Sequence, residues 1–183
     1  MARAANPART RLDRHTLFTE HLRLVPITIA DADRLAAFHA DARVMSLLKH
    51  GVLDRAASDR MVADYAAEWP ALGFGSWTVS ERATGTLVGL GGLRPYADSH
   101  GGNKGAMMRA AFTPEAQGKG YGPELGRAAI DFAYNVARLQ YVVAVTRTNN
   151  LPGQRSLEKL GMRREREYDG DNGKRLILYV AAK

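Results

Sequence analysis

The chain of 183 residues contains no cysteine. That absence excludes disulfides, thiolate metal sites and a cysteine nucleophile together, so any chemistry here comes from other groups. The five histidines, His15, His21, His39, His50 and His100, show no H-x-x-x-H or carboxylate spacing, and no metal is expected. Long apolar runs are missing as well. The longest, such as Val142–Val145 and Leu176–Val180, are strand-length and far short of the ~18 residues a membrane span needs. No signal-peptide h-region is visible, so the expectation is a cytoplasmic protein with no membrane partner. No basic or aromatic stripe marks the periodic segments, which argues against a nucleic-acid-binding face.

What is present suits one soluble core. The composition, 45% hydrophobic and 25% charged, is that of an ordinary globular domain. The net charge of +7 is partly a tail effect: Arg3, Arg9, Arg11 and Arg14 against Asp13 put +3 before Thr16. Residues 1–17 are therefore expected to form a disordered basic extension, with a single domain over 18–183.

The periodicities alternate between strand and helix. Leu22–Ile27 alternates as a strand, and Asp31 or Asp33 can cap a helix running to about Ala40. Asp54–Trp69 reads as a helix with Met61 or Val62, Tyr65 and Trp69 on one face. Residues 75–92 read as a hairpin turning at Ala83–Gly85, followed by a polar, Gly-rich loop over Arg94–Gly105. Ala106–Phe112 is a strand, and a long helix then precedes the strand Tyr141–Thr146. A short helix over Pro152–Leu160 and two strands near Arg163–Tyr168 and Arg175–Val180 close the chain.

The densest chemical signal is Gln117-Gly118-Lys119-Gly120-Tyr121-Gly122, followed by Pro123 and Glu124. Three glycines in five positions let a backbone turn with positive φ and approach a ligand closely, so that amide N–H groups can point at an anion. Leu125, Ala129, Phe132 and Val136 then recur at helical spacing, and a helix start adds its own free N–H groups and positive dipole end. The loop therefore suits a pyrophosphate. It is not a Walker A loop, because no Lys-Ser or Lys-Thr closes it. Nor is it a dinucleotide fingerprint, because Pro123 stands where the third glycine belongs.

The remaining pattern, Q-x-x-G-x-G, resembles the acyl-CoA-binding signature of the GNAT superfamily of N-acetyltransferases. The resemblance extends to the Gly75–Leu93 hairpin, to Asn150, and to Leu157-Glu-Lys-Leu-Gly-Met162, in order, over roughly residues 20–181. The subgroup containing the ribosomal-protein N-terminal acetyltransferases is the most similar. The resemblance implies an α/β fold in which about four helices flank a mostly antiparallel twisted sheet of about seven strands. It also implies acetyl-CoA as co-substrate and a primary amine as acceptor, attacked directly in a ternary complex, in a monomer or homodimer.

By the same resemblance, the backbone of about Ala111, Phe112 and Thr113 lies along the pantetheine arm, and Gln117, Gly118, Lys119, Gly120, Tyr121 and Gly122 hold the pyrophosphate. Lys119 either reaches a phosphate or is a solvated loop lysine. Asn150 either contacts the cofactor arm or caps the next helix. Arg155 and Lys159 lie toward the nucleotide end. Glu124 suits the helix dipole better than proton transfer.

The chain departs from that family at the groups that move protons. Met107 and Met108 stand where many relatives carry an acid, Leu157 where many carry a tyrosine, and Gly153 where a serine is frequent. Tyr96, Asp98 and His100 remain as acid or base candidates, of which His100 has the most suitable unperturbed pKa, unless it is simply a solvated loop side chain. The catalytic expectation is thus Asn150 and His100. An α-amine on a protein or peptide is the preferred acceptor; a small-molecule amine such as an amino sugar, amino acid or antibiotic, and a non-catalytic acyl-CoA sensor, are the alternatives.

Overall fold

The computed structural model describes residues 14–45, 48, 50–96, 105–170 and 173–183. Among them, eight strands and five α-helices alternate in a mixed α/β order. In chain order these are β1 (Leu17–Phe18), β2 (Leu22–Pro26), α1 (Ala32–Ala40), α2 (Ala42–Met45), α3 (Arg55–Leu72), β3 (Ser76–Glu81), β4 (Leu87–Tyr96), β5 (Gly105–Phe112), α4 (Tyr121–Asn135), β6 (Tyr141–Arg147), α5 (Leu151–Lys159), β7 (Arg163–Asp169) and β8 (Arg175–Ala182). The strand order is β1-β2-β3-β4-β5-β6-β8-β7. The elements beyond the expected seven strands and four helices are β1, of two residues, and α2, of four. Neither is long enough to show a period.

The described chain divides into two compact units, and both β4 and β5 run through each of them. The first unit comprises the chain up to Gly91 together with Ala111–Lys119. Its core gathers Ile27, Leu35 and Phe38 with Val62 and Tyr65 of α3, and Leu87 packs against them. Helix α3 starts where Asp54 accepts the Ala57 N–H at 2.7 Å, satisfying one of the four unpaired donors of a helix start. Asp31 precedes α1 but does not cap it. Its carboxylate instead accepts the Thr28 N–H at 2.8 Å and pairs with Arg34 at 2.8 Å.

Residues 14–17 of the expected tail are among the described residues. His15 stacks on Trp69 with ring centroids 5.3 Å apart, and its carbonyl accepts the Trp77 indole N–H at 2.9 Å. Leu17 and Phe18 then pair with Leu24 and Arg23. Two tryptophans receive His15, a tertiary effect that the composition of the segment does not encode. Residues 1–13 lie outside the described residues.

One buried polar pair in this unit has a measurable consequence. His39, fully buried, places Nδ1 2.8 Å from the Ser58 hydroxyl, while its Nε2 has no partner among the described residues. Burial lowers its pKa below 6.5 because a charged imidazole there would be desolvated. Below pH 6.5 the unfolded chain takes up a proton that the folded chain resists, so stability is full above that pH and falls as the pH drops. His15, also buried, is lowered in the same direction, chiefly by desolvation. Urea midpoints measured from pH 7 to 5 are expected to fall, and His39→Gln is expected to flatten the slope; an unchanged slope in that variant would contradict the assignment.

The second unit comprises Gly92–Ala110 and the chain from Gly120 onward. Helix α4 buries Leu125, Ala129, Phe132 and Ala133, as its spacing requires. It ends at Asn135, so Val136, expected on the same apolar face, is instead an exposed cap residue. Strand β8 enters between β6 and β7 and pairs antiparallel with both. The edge strand β7 is charged almost throughout and carries a register shift between Arg164 and Arg166, two features that discourage edge-to-edge aggregation.

Candidate active site

Strands β5 and β6 run parallel, but their register spans only Gly105↔Tyr141 to Met107↔Val143. Beyond that point β6 keeps its pairing with β8 as far as Arg147. Among the described residues, the stretch of β5 from Met108 and that of β6 from Ala144 therefore do not pair with each other. Such an opening leaves backbone donors and acceptors able to bind an extended ligand as a strand would. At the start of the register the Tyr141 ring covers Gly105, where a Cβ would overlap it. Tyr96, one of the acid or base candidates, packs edge-on against the same ring at 6.4 Å. Asp98 and His100 lie outside the described residues.

At the far end of β5 the backbone crowds Gly89 of β4. A Cβ there would overlap the Ala111 carbonyl oxygen and lie 2.8 Å from Phe112 Cδ1. A glycine inside a strand signals such an approach. The Thr113 N–H donates to the Val88 carbonyl at 2.9 Å. Of the three residues expected along the cofactor arm, Thr113 therefore has both backbone groups engaged, its amide with Val88 and its carbonyl accepting the Ala116 N–H at 3.0 Å.

A 3-10 turn over Pro114–Ala116 leads to Gln117, where the N–H donates to the Pro114 carbonyl at 3.1 Å. Gly118 and Gly120 follow at φ 78° and 82°, the left-handed region that favours glycine. Gly120 is the residue before α4, and the Glu124 N–H closes the first helical bond on its carbonyl at 3.2 Å. The amides of Gly118, Gly120 and Gly122 have no acceptor among the described residues. Pro123 in the first turn has no N–H to satisfy. Three free donors and a helix start are what an anion requires. The Tyr121 side chain is buried.

Lys119 does not stand alone: its ammonium pairs with Glu81 at 3.0 Å. A phosphate contact from Lys119 would have to compete with that carboxylate.

Asn150 is the N-cap of α5, and both ends of its amide are engaged. Its Oδ1 accepts the Gly153 N–H at 3.1 Å and its Nδ2 donates to the Thr146 hydroxyl at 3.0 Å. The capping reading of Asn150 is therefore realised, leaving one amide hydrogen and one lone pair for any ligand. Gly153 makes this possible. A Cβ there would overlap Asn150 Nδ2 and lie 2.9 Å from both Asn150 Cγ and Thr146 Oγ1. Gly153→Ser is accordingly expected to expel the Asn150 side chain and cost about 1–3 kcal/mol, as overpacking does. A crystal structure of that variant with Asn150 unmoved would contradict the account.

Leu157 and Met108 are both buried, so the positions where a proton-transfer group was sought are apolar. Arg155 and Lys159 are exposed on α5, with no ion pair among the described residues. Two participants were missed by sequence reasoning. Glu115 precedes the loop by two residues and binds Arg43 at 2.7 Å. Thr146 anchors Asn150. Neither belongs to a motif, and only the fold brings their partners near. No group of three or more His, Cys, Asp or Glu able to hold a metal occurs among the described residues. No helix of the described residues is long and apolar enough to cross a membrane.

Comparison with known proteins adds four findings. The family described as "Acetyltransferase (GNAT) domain" matches residues 21–163. The "Uncharacterized N-acetyltransferase YnaD" of Bacillus subtilis is 25% identical over 151 residues, covering 80% of this chain and 82% of its own length. Among solved structures, a GNAT-family acetyltransferase from Bacillus anthracis aligns with a TM-score of 0.78 at 20% identity, covering 91% of this chain and 98% of that one. A ribosomal-protein-S5-alanine acetyltransferase from Vibrio fischeri aligns with a TM-score of 0.76 at 17% identity, over 91% and 96%. At these identities the two structures share the fold with this chain.

Proposed function

The chain belongs to the GNAT family of N-acetyltransferases, and from that premise we propose that it transfers an acetyl group from acetyl-CoA to an α-amine of a protein or peptide. The observation that carries the cofactor half is the row of unpaired amides at Gly118, Gly120 and Gly122 leading into α4. Those donors fit a pyrophosphate, with Gln117, Lys119 and the Tyr121 backbone beside them and Arg155 toward the nucleotide. The stretch of β5 from Met108, which lies beyond its register with β6, fits an amide-bearing arm leading toward Ala111–Thr113.

When bound, acetyl-CoA supplies an already activated thioester carbonyl. The residues of this chain then have to bind, orient and exclude water. Asn150 acts through position: by capping α5 and holding Thr146 it fixes the end of β6 against the start of that helix. Its catalytic role is the support of this geometry, not proton transfer.

The acceptor half rests on what is missing. With Met107, Met108 and Leu157 at the proton-transfer positions, an amine that is already largely neutral is better matched than a lysine side chain. The fold likeness to a ribosomal-protein-S5-alanine acetyltransferase supports a protein N-terminus as the target. Thiol release from acetyl-CoA over a panel of N-terminal peptides, lysine peptides, polyamines and aminoglycosides tests the proposal. Turnover confined to aminoglycosides or polyamines would overturn the acceptor assignment. Binding without turnover on any amine would make the chain a sensor.

A further inference from the structure

Arg43, the second residue of α2, engages its guanidinium through Nε, Nη1 and Nη2. Asp41 accepts from Nη2 at 2.7 Å and from Nε at 3.1 Å, which aims the group, and Nη1 donates to Glu115 Oε1 at 2.7 Å. Glu115 sits in the 3-10 turn between the end of β5 and Gln117. The turn that launches the glycine loop is thus tied by a side chain to α2 through Arg43, which Asp41 of the α1–α2 connection aims. Charge-assisted contacts of this kind hold both carboxylates ionised, and the pKa values of Asp41 and Glu115 lie below the usual range, each chiefly through hydrogen bonding.

We propose that Arg43 is a positioning residue for acyl-CoA binding: through Glu115 it holds the Thr113–Gln117 turn in the shape from which the arm contacts and the anion-binding loop are presented. Arg43 touches no ligand in this scheme. The inference rests on the proposed cofactor assignment for the same loop. The pair joins α2 to the Pro114–Ala116 turn inside the first unit.

The test is calorimetric affinity for acetyl-CoA, with melting temperature and kcat in parallel, for the wild-type chain, Arg43→Ala, Glu115→Gln, Arg43→Glu, Glu115→Arg and the double exchange Arg43→Glu with Glu115→Arg. Exposed pairs transmit little energy, so the neutral single variants are expected to weaken Kd only about three- to fivefold, with kcat at saturation and melting temperature retained. The single charge reversals place like charges together and are expected to weaken it by about tenfold or more, and the exchange to recover most of that loss. At about 1 M salt, where the screening length is ~3 Å, wild type and Arg43→Ala are expected to converge. Wild-type Kd in every single variant, or an exchange no better than the single reversals, would overturn the inference while leaving the cofactor assignment intact. Failure of the wild-type chain to bind would overturn the assignment itself and this inference with it.

Discussion

Gly120→Val is expected to abolish measurable acetyl-CoA binding while leaving a folded protein. Gly120 adopts φ 82° immediately before α4. A non-glycine residue in that region costs about 1–2 kcal/mol, and a β-branched one is worse placed than most. A Cβ at this position meets nothing within 4 Å, so the cost is conformational and not a clash. The backbone can relieve it by rotating out of the left-handed region, which turns the Gly120 amide away from its present direction. The loss to the ligand is then at least about 100-fold in Kd, whereas the loss to the fold is a few degrees of melting temperature. Gly122→Ala separates ligand approach from strain. Its Cβ would meet only Ser156 Oγ, at the ordinary contact distance of 3.6 Å, and alanine favours a helix over glycine. That variant is expected to melt no lower than wild type and yet bind acetyl-CoA more weakly. Full affinity in both variants would mean the loop does not hold the cofactor.

The second large effect concerns the acceptor. At pH 7 an α-amine of pKa ~7.8 is neutral in about 1 molecule in 7, and a lysine side chain of pKa ~10.4 in about 1 in 2,500. Without a base to remove the proton, kcat/KM for an N-terminal peptide should exceed that for a lysine peptide by up to about 300-fold at pH 7. Intrinsic nucleophilicity favours the more basic lysine and narrows the ratio. The pH dependence is the sharper signature. By pH 9 the α-amine is almost fully neutral while lysine still gains, so the ratio falls toward about 25. A ratio near unity at pH 7, or one that does not change with pH, would show that the chain supplies a base after all.

Much of this was legible in the residues. Asp54 before an apolar period announced a helix start, and the glycine loop with Pro123 behind it announced a turn into a helix; both stand in the structure. Gly89 could have been read as a close approach from its place inside a strand. What resisted reading depends on partners distant in sequence. His15 is buried because Trp69 and Trp77 receive it. Asn150 supported two readings until Thr146 and Gly153 were seen to occupy its amide. Lys119 is an exposed loop cation in sequence, and only the fold brings Glu81 to it. Val136 continued a helical period that the backbone abandons at Asn135. Local pattern gives the elements, whereas the pairing of polar side chains across them follows from tertiary structure.

The central claim is that the Gln117–Gly122 loop and the helix behind it hold the pyrophosphate of an acyl-CoA, and its most direct measurement is a calorimetric titration of the wild-type chain with acetyl-CoA, repeated with 3′-dephospho-CoA and with pantetheine. The account predicts saturable one-to-one binding of acetyl-CoA, retained in large part by 3′-dephospho-CoA, which keeps the pyrophosphate, and lost with pantetheine, which does not. Equal affinity for pantetheine, or no binding of acetyl-CoA at all, would contradict it.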